Sequence, residues 1–149
     1  MTLSDLPGFR HLAARREARQ RAALTLGAAR DRAARGAALL DEADPGWADR
    51  VDPGALALGD GQACVLGQLH GEYRRGLGRA RVLDLSSAPS RFVSPVDLGF
   101  QAVGTLGQAA EDLDYTHLTR AWREAVADRR GLGERPMSAP ARNAASRVR

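Results

Sequence analysis

The strongest constraint on how this chain can fold is the division of its charge along its length. Residues 1–35 contain eight Arg and three carboxylates, and residues 129–149 contain six Arg and a single carboxylate. The block between them, residues 36–128, contains eight Arg and fourteen carboxylates. Segments that are rich in charge and poor in large apolar side chains bury too little surface to offset the entropy lost on ordering. The chain is therefore expected to fold around its acidic middle.

The length and the distribution of apolar residues predict one small domain. With 149 residues, the chain is in the size range of a single domain. We place a compact, mostly helical module at residues 36–130, between a basic Ala/Arg-rich extension at residues 1–35 and a disordered basic tail at residues 131–149. The predicted fold class is mainly α: a small compact helical domain with disordered or loosely helical Arg-rich termini.

The N-terminal extension has the pattern of a helix with little to pack against. Ser4 or Asp5 can cap a helix that begins near Phe9, and the Ala-rich sequence that follows favours helix. Large aliphatic side chains are sparse between positions 11 and 35, where they are limited to Leu12, Leu24 and Leu26. We expect an exposed, weakly anchored arm.

Three apolar stripes predict the helices of the module. One helix ends at Pro45, a second is capped by Asp60 and runs through Tyr73, and a third is capped by Asp114 and runs over residues 115–128. The expected core contains the two Trp side chains and the large apolar residues of these stripes. They are Leu40, Trp47, Leu66, Leu69, Tyr73, Phe100, Leu118 and Trp122.

Four separated motifs of the chain resemble those of a protein family. They are GAALLDEADPGWADRVD at 36–52, CVLGQLHGEYRRGL at 64–77, LGF at 98–100 and YTHLTRAW at 115–122. In this order they are similar to a family of small proteins from actinobacteria and their phages, with the pattern LLDExxPGW, CVLGQLxGxY, LGF and YxxLTxAW. The resemblance covers about residues 36–127. It implies a domain boundary and a phage-related context, and it implies no activity.

The residue types used for catalysis and metal binding are few and poorly spaced. Cys64 is the only cysteine, so an internal disulfide is excluded. His70 follows it by six residues, about 240° around a helix, which does not form a local dyad. The set of Cys64, His70, His117 and His11 has no recognised metal-ligand spacing. We expect a structural Cys64, no metal and no cofactor, and we keep a thiol-dependent enzyme using Cys64 as a third hypothesis.

The chain carries no recognisable targeting or membrane segment. No stretch approaches the roughly 18 consecutive apolar residues of a spanning helix. The N-terminal sequence MTLSDLPGFRHLAARREARQ lacks the apolar run of a secretory signal. We therefore expect a cytoplasmic protein without a membrane partner.

The Arg-rich ends suggest nucleic acid as a partner. All 22 basic residues are Arg, whose guanidinium group binds phosphate through paired hydrogen bonds. No helix-turn-helix, zinc-finger or RNA-recognition signature accompanies them, so contacts with the backbone are expected, not base readout. Our leading hypothesis is a non-enzymatic accessory or regulatory interaction protein that contacts nucleic acid or a ribonucleoprotein electrostatically. The contact residues would be Arg15, Arg16, Arg19, Arg21, Arg30, Arg32, Arg35, Arg142, Arg147 and Arg149.

The acidic cluster near position 45 offers an alternative. Asp41, Glu42 and Asp49 could form the partner-binding face of a protein–protein adaptor. Carboxylates in such positions also commonly flank helices on a solvated face, or pair with basic side chains of the same chain. The sequence leaves these interpretations open.

Overall fold

The computed structural model describes residues 7–22, 24–79 and 94–133, and in these ranges it is helical without β-strands. The predicted mainly α fold class is confirmed. None of the helices in this part of the chain is long and apolar enough to cross a membrane. The helices are α1 (Pro7–Ala22), α2 (Leu26–Ala43), a 3₁₀ helix (Trp47–Arg50), α3 (Val65–His70), α4 (Tyr73–Arg79) and α5 (Gln108–Gly133).

The domain is built on the packing of α2 against α5. The buried stripe of α2 begins with Ala29, Ala33 and Ala37, whose small side chains let the α5 helix approach closely. The facing side of α5 presents Leu118 and Trp122, which are fully buried. These positions are spaced by four residues, so each set lies along one helix face.

Trp122 lies at the centre of an aromatic cluster. Its ring stacks on Phe100 with centroids 5.2 Å apart, and the Trp47 ring meets it edge-on at 5.7 Å. The indole Nε1 donates a 2.7 Å hydrogen bond to the carbonyl oxygen of Gly99. Six of the eight expected core residues are buried, while Leu69 and Tyr73 are partly buried at the edge of the cluster.

The segment Leu98–Phe100 packs against both α2 and α5, and two glycines make its close approach possible. A Cβ atom on Gly36 would overlap the carbonyl oxygen of Leu98 and would lie 2.8 Å from the Trp122 ring. Gly99 has φ +68°, and a Cβ atom there would lie 2.9 Å from the backbone nitrogen of Ala33. The backbones therefore approach to distances at which no side chain fits.

The expected boundary at residue 36 needs correction, because that position lies inside α2. The helix begins at Leu26 and is capped by Thr25, whose hydroxyl oxygen accepts the backbone N–H of Ala28 at 3.1 Å. Residues 29, 32 and 33 are buried. A prediction based on large aliphatic side chains misses a stripe made of Ala. α1 is exposed, as expected, and the tail beyond 133 lies outside the described residues.

The helix predicted from Asp60 through Tyr73 is shorter at both ends in the structure. The Asp60 carboxylate caps the preceding turn, where Oδ1 accepts the backbone N–H groups of Gln62 and Ala63. α3 begins later, with Cys64 as its N-cap, and Gly71 ends it with φ +85°. The apolar spacing correctly predicts helical structure here. It does not reveal the break between α3 and α4, because the same spacing continues across that break.

Asp114 does not cap a helix, contrary to the prediction, but lies within α5. Its buried carboxylate forms two hydrogen bonds with Nη1 of Arg32, at 2.9 and 3.0 Å, and accepts the backbone N–H of Val103 at 2.9 Å. Arg32 also donates to the carbonyl oxygens of Val96 and Gln101, each at 2.7 Å. Among the described residues, no buried side-chain nitrogen or oxygen lacks a partner. This ion pair joins α2, α5 and the segment 96–103.

Breaking this pair from one side should strongly destabilise the protein. Arg32→Met leaves the Asp114 carboxylate buried without its countercharge, and we expect the free energy of unfolding to fall by about 3–5 kcal/mol. Urea denaturation followed by circular dichroism measures this loss. Arg30→Met is the matched control in the same helix, because Arg30 is exposed, and it should leave the midpoint nearly unchanged. Equal effects of the two substitutions would contradict a special role of the buried pair.

A second pair of variants tests the close approach at Gly36. Replacing a helical Gly by Ala ordinarily stabilises a helix by about 1 kcal/mol. Gly36→Ala should instead destabilise the protein by about 1–3 kcal/mol, since the new methyl group meets backbone and an indole ring. Gly27→Ala, where nothing lies within 4 Å of the added atom, should be neutral or stabilising in the same thermal melts. A stabilising Gly36→Ala would show that the helices do not pack this closely.

Candidate nucleic-acid interface

α1 is a basic helix that contributes no large apolar stripe to the core. Every described side chain from position 10 to 22 is exposed except the half-buried Gln20. One ion pair supports the helix from within, since Arg21 donates to the Glu17 carboxylate at 2.8 Å one turn away. A helix that is polar all round gains little from tertiary packing. The charge on α1 is therefore available to the solvent.

Three guanidinium groups share one side of α1. Arg15, Arg16 and Arg19 lie within about 100° of arc at the helical repeat, and all three are exposed. None of the described carboxylates is paired with them. Like charges one turn apart destabilise an isolated helix. The placement of these three Arg side chains therefore does not stabilise α1. We call these three residues the α1 arginine face.

The α1 arginine face borders two open grooves between α1 and the segment 103–106. One groove, of about 690 Å³, lies between residues 12–21 of α1 and Thr105–Leu106. The other, of about 320 Å³, runs past Arg16 and Arg19 toward residues 96–97. Arg16 lines both grooves. Arg19 lines only the smaller groove and Arg15 lines neither, so an anionic chain that follows either groove would meet Arg16.

The other predicted contact residues in the described part of the chain have protein partners. Arg21 pairs with Glu17, and Arg30 forms a two-pronged ion pair with Glu124 at 2.7 and 3.0 Å. Arg35 is exposed and donates to the carbonyl oxygen of Asp97 at 3.1 Å.

Arg32 must be removed from the predicted set. Its side chain is buried and its donors are directed at Asp114 and two carbonyl oxygens. The side chain lines the smaller groove, but all three guanidinium nitrogens donate to these protein acceptors. The C-terminal members of the set, Arg142, Arg147 and Arg149, lie outside the described residues.

The acidic cluster is partly neutralised by the chain's own cations. Asp41 accepts two hydrogen bonds from Arg129, at 2.8 and 2.6 Å, and one from Nε1 of Trp47 at 2.8 Å. The Arg129 guanidinium also lies 5.4 Å from the centroid of the Trp47 ring. The hydrogen bonds from Arg129 lower the pKa of Asp41 below its ordinary value. Asp44 pairs with Arg50. Glu42 and Asp49 remain exposed.

Sequence reasoning missed the cations that tie α5 to the middle of the chain. Arg123 donates to the carbonyl oxygens of Pro53 and Leu56, both at 3.0 Å. Arg130 donates to those of Ala48 and Val51, at 3.1 and 2.7 Å. Their spacing of seven residues places them on one helix face. This spacing is the feature of the sequence that could have indicated their shared role.

A short basic helix was also missed. α4 presents exposed Arg74, Arg75 and Arg79. The sequence pattern predicts a helix that runs through Tyr73, whereas α4 begins at Tyr73 and has Arg74 and Arg75 in its first turn.

Cys64 is buried and has a structural contact. Its Sγ accepts the backbone N–H of Gly67 at 3.2 Å, and burial raises the pKa of the thiol. Among the described residues, no group of three or more His, Cys, Asp or Glu side chains is placed to hold a metal ion. The structure thus accounts for Cys64 as a helix cap.

Comparison with protein families, curated proteins and solved structures finds no match for this chain. The resemblance to small actinobacterial and phage proteins accordingly stays a prediction.

The Asp41–Arg129 contact should make stability depend on acid pH. Because the pKa of Asp41 is lowered on folding, its contribution is complete above the ordinary value of 3.8 and is lost as the pH falls through the folded value. Asp41→Asn should cost about 1 kcal/mol or less at neutral pH, since the carboxylate is 48% exposed. Urea midpoints between pH 2 and 7 measure the effect, with Glu42→Gln as control. An unchanged acid dependence in Asp41→Asn would contradict this assignment.

Proposed function

We propose that this protein is a non-enzymatic accessory or regulatory interaction protein that contacts nucleic acid electrostatically through the α1 arginine face. The observation that carries the proposal is the placement of Arg15, Arg16 and Arg19. They are exposed and unpaired with any described carboxylate, and they lie on a helix with no buried side chain among residues 10–22. Arg142, Arg147 and Arg149 remain part of the proposed contact set.

The charge of the remaining structure supports this placement. The α1 helix contains five Arg and one carboxylate. Residues 24–79 and 94–131 together contain eleven Arg and fourteen carboxylates. Phosphate would be attracted to α1 and repelled by much of the module. Such a field orients a nucleic acid toward one side of the protein.

The mode of contact would be with the backbone and not with bases. Side chains 10–22 of α1 include no Phe, Tyr or Trp ring on which a base could stack. Guanidinium groups pair with phosphate oxygens, and each neutralised phosphate releases counterions. Binding should therefore depend weakly on sequence and steeply on salt.

The adaptor hypothesis keeps one supporting observation. Glu42 and Asp49 are exposed carboxylates near the ion-paired Asp41. A basic protein partner could use them. It would bind a different surface from α1, so the two functions are separable by substitution.

The decisive variant is Arg15→Gln/Arg16→Gln/Arg19→Gln, which removes three charges and keeps good helix formers. We expect weaker binding of the full chain to a labelled mixed-sequence DNA duplex. The slope of log affinity against log salt should flatten by about 0.9 for each phosphate group that the variant no longer neutralises. Fluorescence anisotropy over a salt series measures both quantities.

The matched control is Arg74→Gln/Arg75→Gln/Arg79→Gln, which removes the same charge from exposed positions of α4. It should retain most of the affinity and of the salt slope. Equal losses in the two triple variants would mean that net charge, not the α1 arginine face, drives binding. If the wild-type chain fails to bind at low salt, the proposal is wrong, and charge reversal at Glu42 and Asp49 then tests the adaptor.

A further inference from the structure

A groove of about 720 Å³ lies between the turn Ala57–Asp60 and the outer face of α5. Its helical wall carries Thr116, Thr119, Arg120 and Arg123, spaced so that all four share one stripe. Ligand pockets commonly have volumes of about 300–1,000 Å³. We call this feature the α5 groove.

The walls of the α5 groove are held in place by hydrogen bonds. The backbone N–H of Leu58 donates to Oγ1 of Thr119 at 3.0 Å. Arg123 holds the backbone just before this turn, because it donates to the carbonyl oxygens of Pro53 and Leu56. The groove is thus preformed, and a ligand would not have to order the turn.

Tyr115 forms an apolar wall. Its ring lies beside Gly59, where an added Cβ atom would be 3.6 Å from the ring carbons. Burial raises the pKa of Tyr115, so the phenol group stays neutral. A planar or apolar part of a ligand could pack on this surface.

Guanidinium groups outnumber carboxylates in the lining of the α5 groove, although the surrounding module is acidic. Arg120 is 65% exposed and makes a single 3.3 Å contact with Glu124, whose carboxylate is already held by Arg30 at 2.7 Å. His117 is half-buried and lines the groove together with Arg123. The one carboxylate in the lining, Asp60, accepts hydrogen bonds from the backbone.

We infer that the α5 groove binds a small phosphate-bearing molecule, with the phosphate held by Arg120 and His117 and an apolar or planar part packed on Tyr115. Guanidinium and imidazole groups donate hydrogen bonds to phosphate oxygens, and the hydroxyl group of Thr116 lies in the same lining. The site is independent of the α1 arginine face, because the two share no residue.

Titration of the full chain with inorganic pyrophosphate, followed by NMR, tests this site. We expect saturable shifts of the His117 ring protons and of the backbone amides of residues 57–60 and 116–120. Arg120→Gln should weaken the affinity at least tenfold, since Arg120 is the least engaged cation in the lining. His117→Ala should weaken it as well, and Arg120→Gln should melt near the wild-type temperature because Arg120 is exposed.

Arg75→Gln is the control, with the same loss of charge at an exposed position of α4. It should leave pyrophosphate affinity unchanged. Equal weakening by Arg75→Gln, or shifts confined to α1, would overturn the site in favour of general electrostatic attraction. Absence of saturation at pyrophosphate concentrations on the order of 10 mM would also overturn it. Competition with a short DNA duplex distinguishes the sources of phosphate: displacement from the groove by DNA would reassign the site to nucleic acid.

Discussion

The packing of this domain depends on the buried ion pair between Arg32 and Asp114. Removing two charges from water is expensive, and the cost is met only when every donor and acceptor is paired. Here the remaining hydrogen-bonding groups are taken up by Val96, Gln101 and Val103. The pair can therefore form only when α2, α5 and the segment 96–103 are together. It specifies one arrangement of these parts, which a stripe of Ala could not do through its small apolar area.

The aromatic cluster depends on the same arrangement. Gly99 accepts the Trp122 indole N–H and lies against α2, in the segment that Arg32 holds through its two carbonyl contacts. Phe100 then stacks on Trp122. The segment packs against both helices, and Gly99 is required because no side chain fits between its backbone and that of α2.

Arginine serves two physical roles in this chain, and residue type alone does not separate them. Arg32, Arg123 and Arg130 satisfy backbone carbonyl oxygens and stabilise the fold. Arg15 and Arg16 extend into solvent and carry the proposed contact with phosphate. The difference lies in what the surrounding backbone offers: an orphan carbonyl oxygen captures a guanidinium group, whereas the α1 helix satisfies its own carbonyl groups internally.

Sequence periodicity alone determined the helical class, the burial of both Trp side chains and the exposure of α1, because these follow from local spacing and apolar area. Only the tertiary structure decided that Asp114 is an ion-pair partner instead of a helix cap, and that Arg32 belongs to the core instead of the proposed nucleic-acid surface. It likewise created the α5 groove from a turn and a helix about 60 residues apart. These outcomes depend on contacts between distant residues, and a linear pattern does not say which distant charge will meet which.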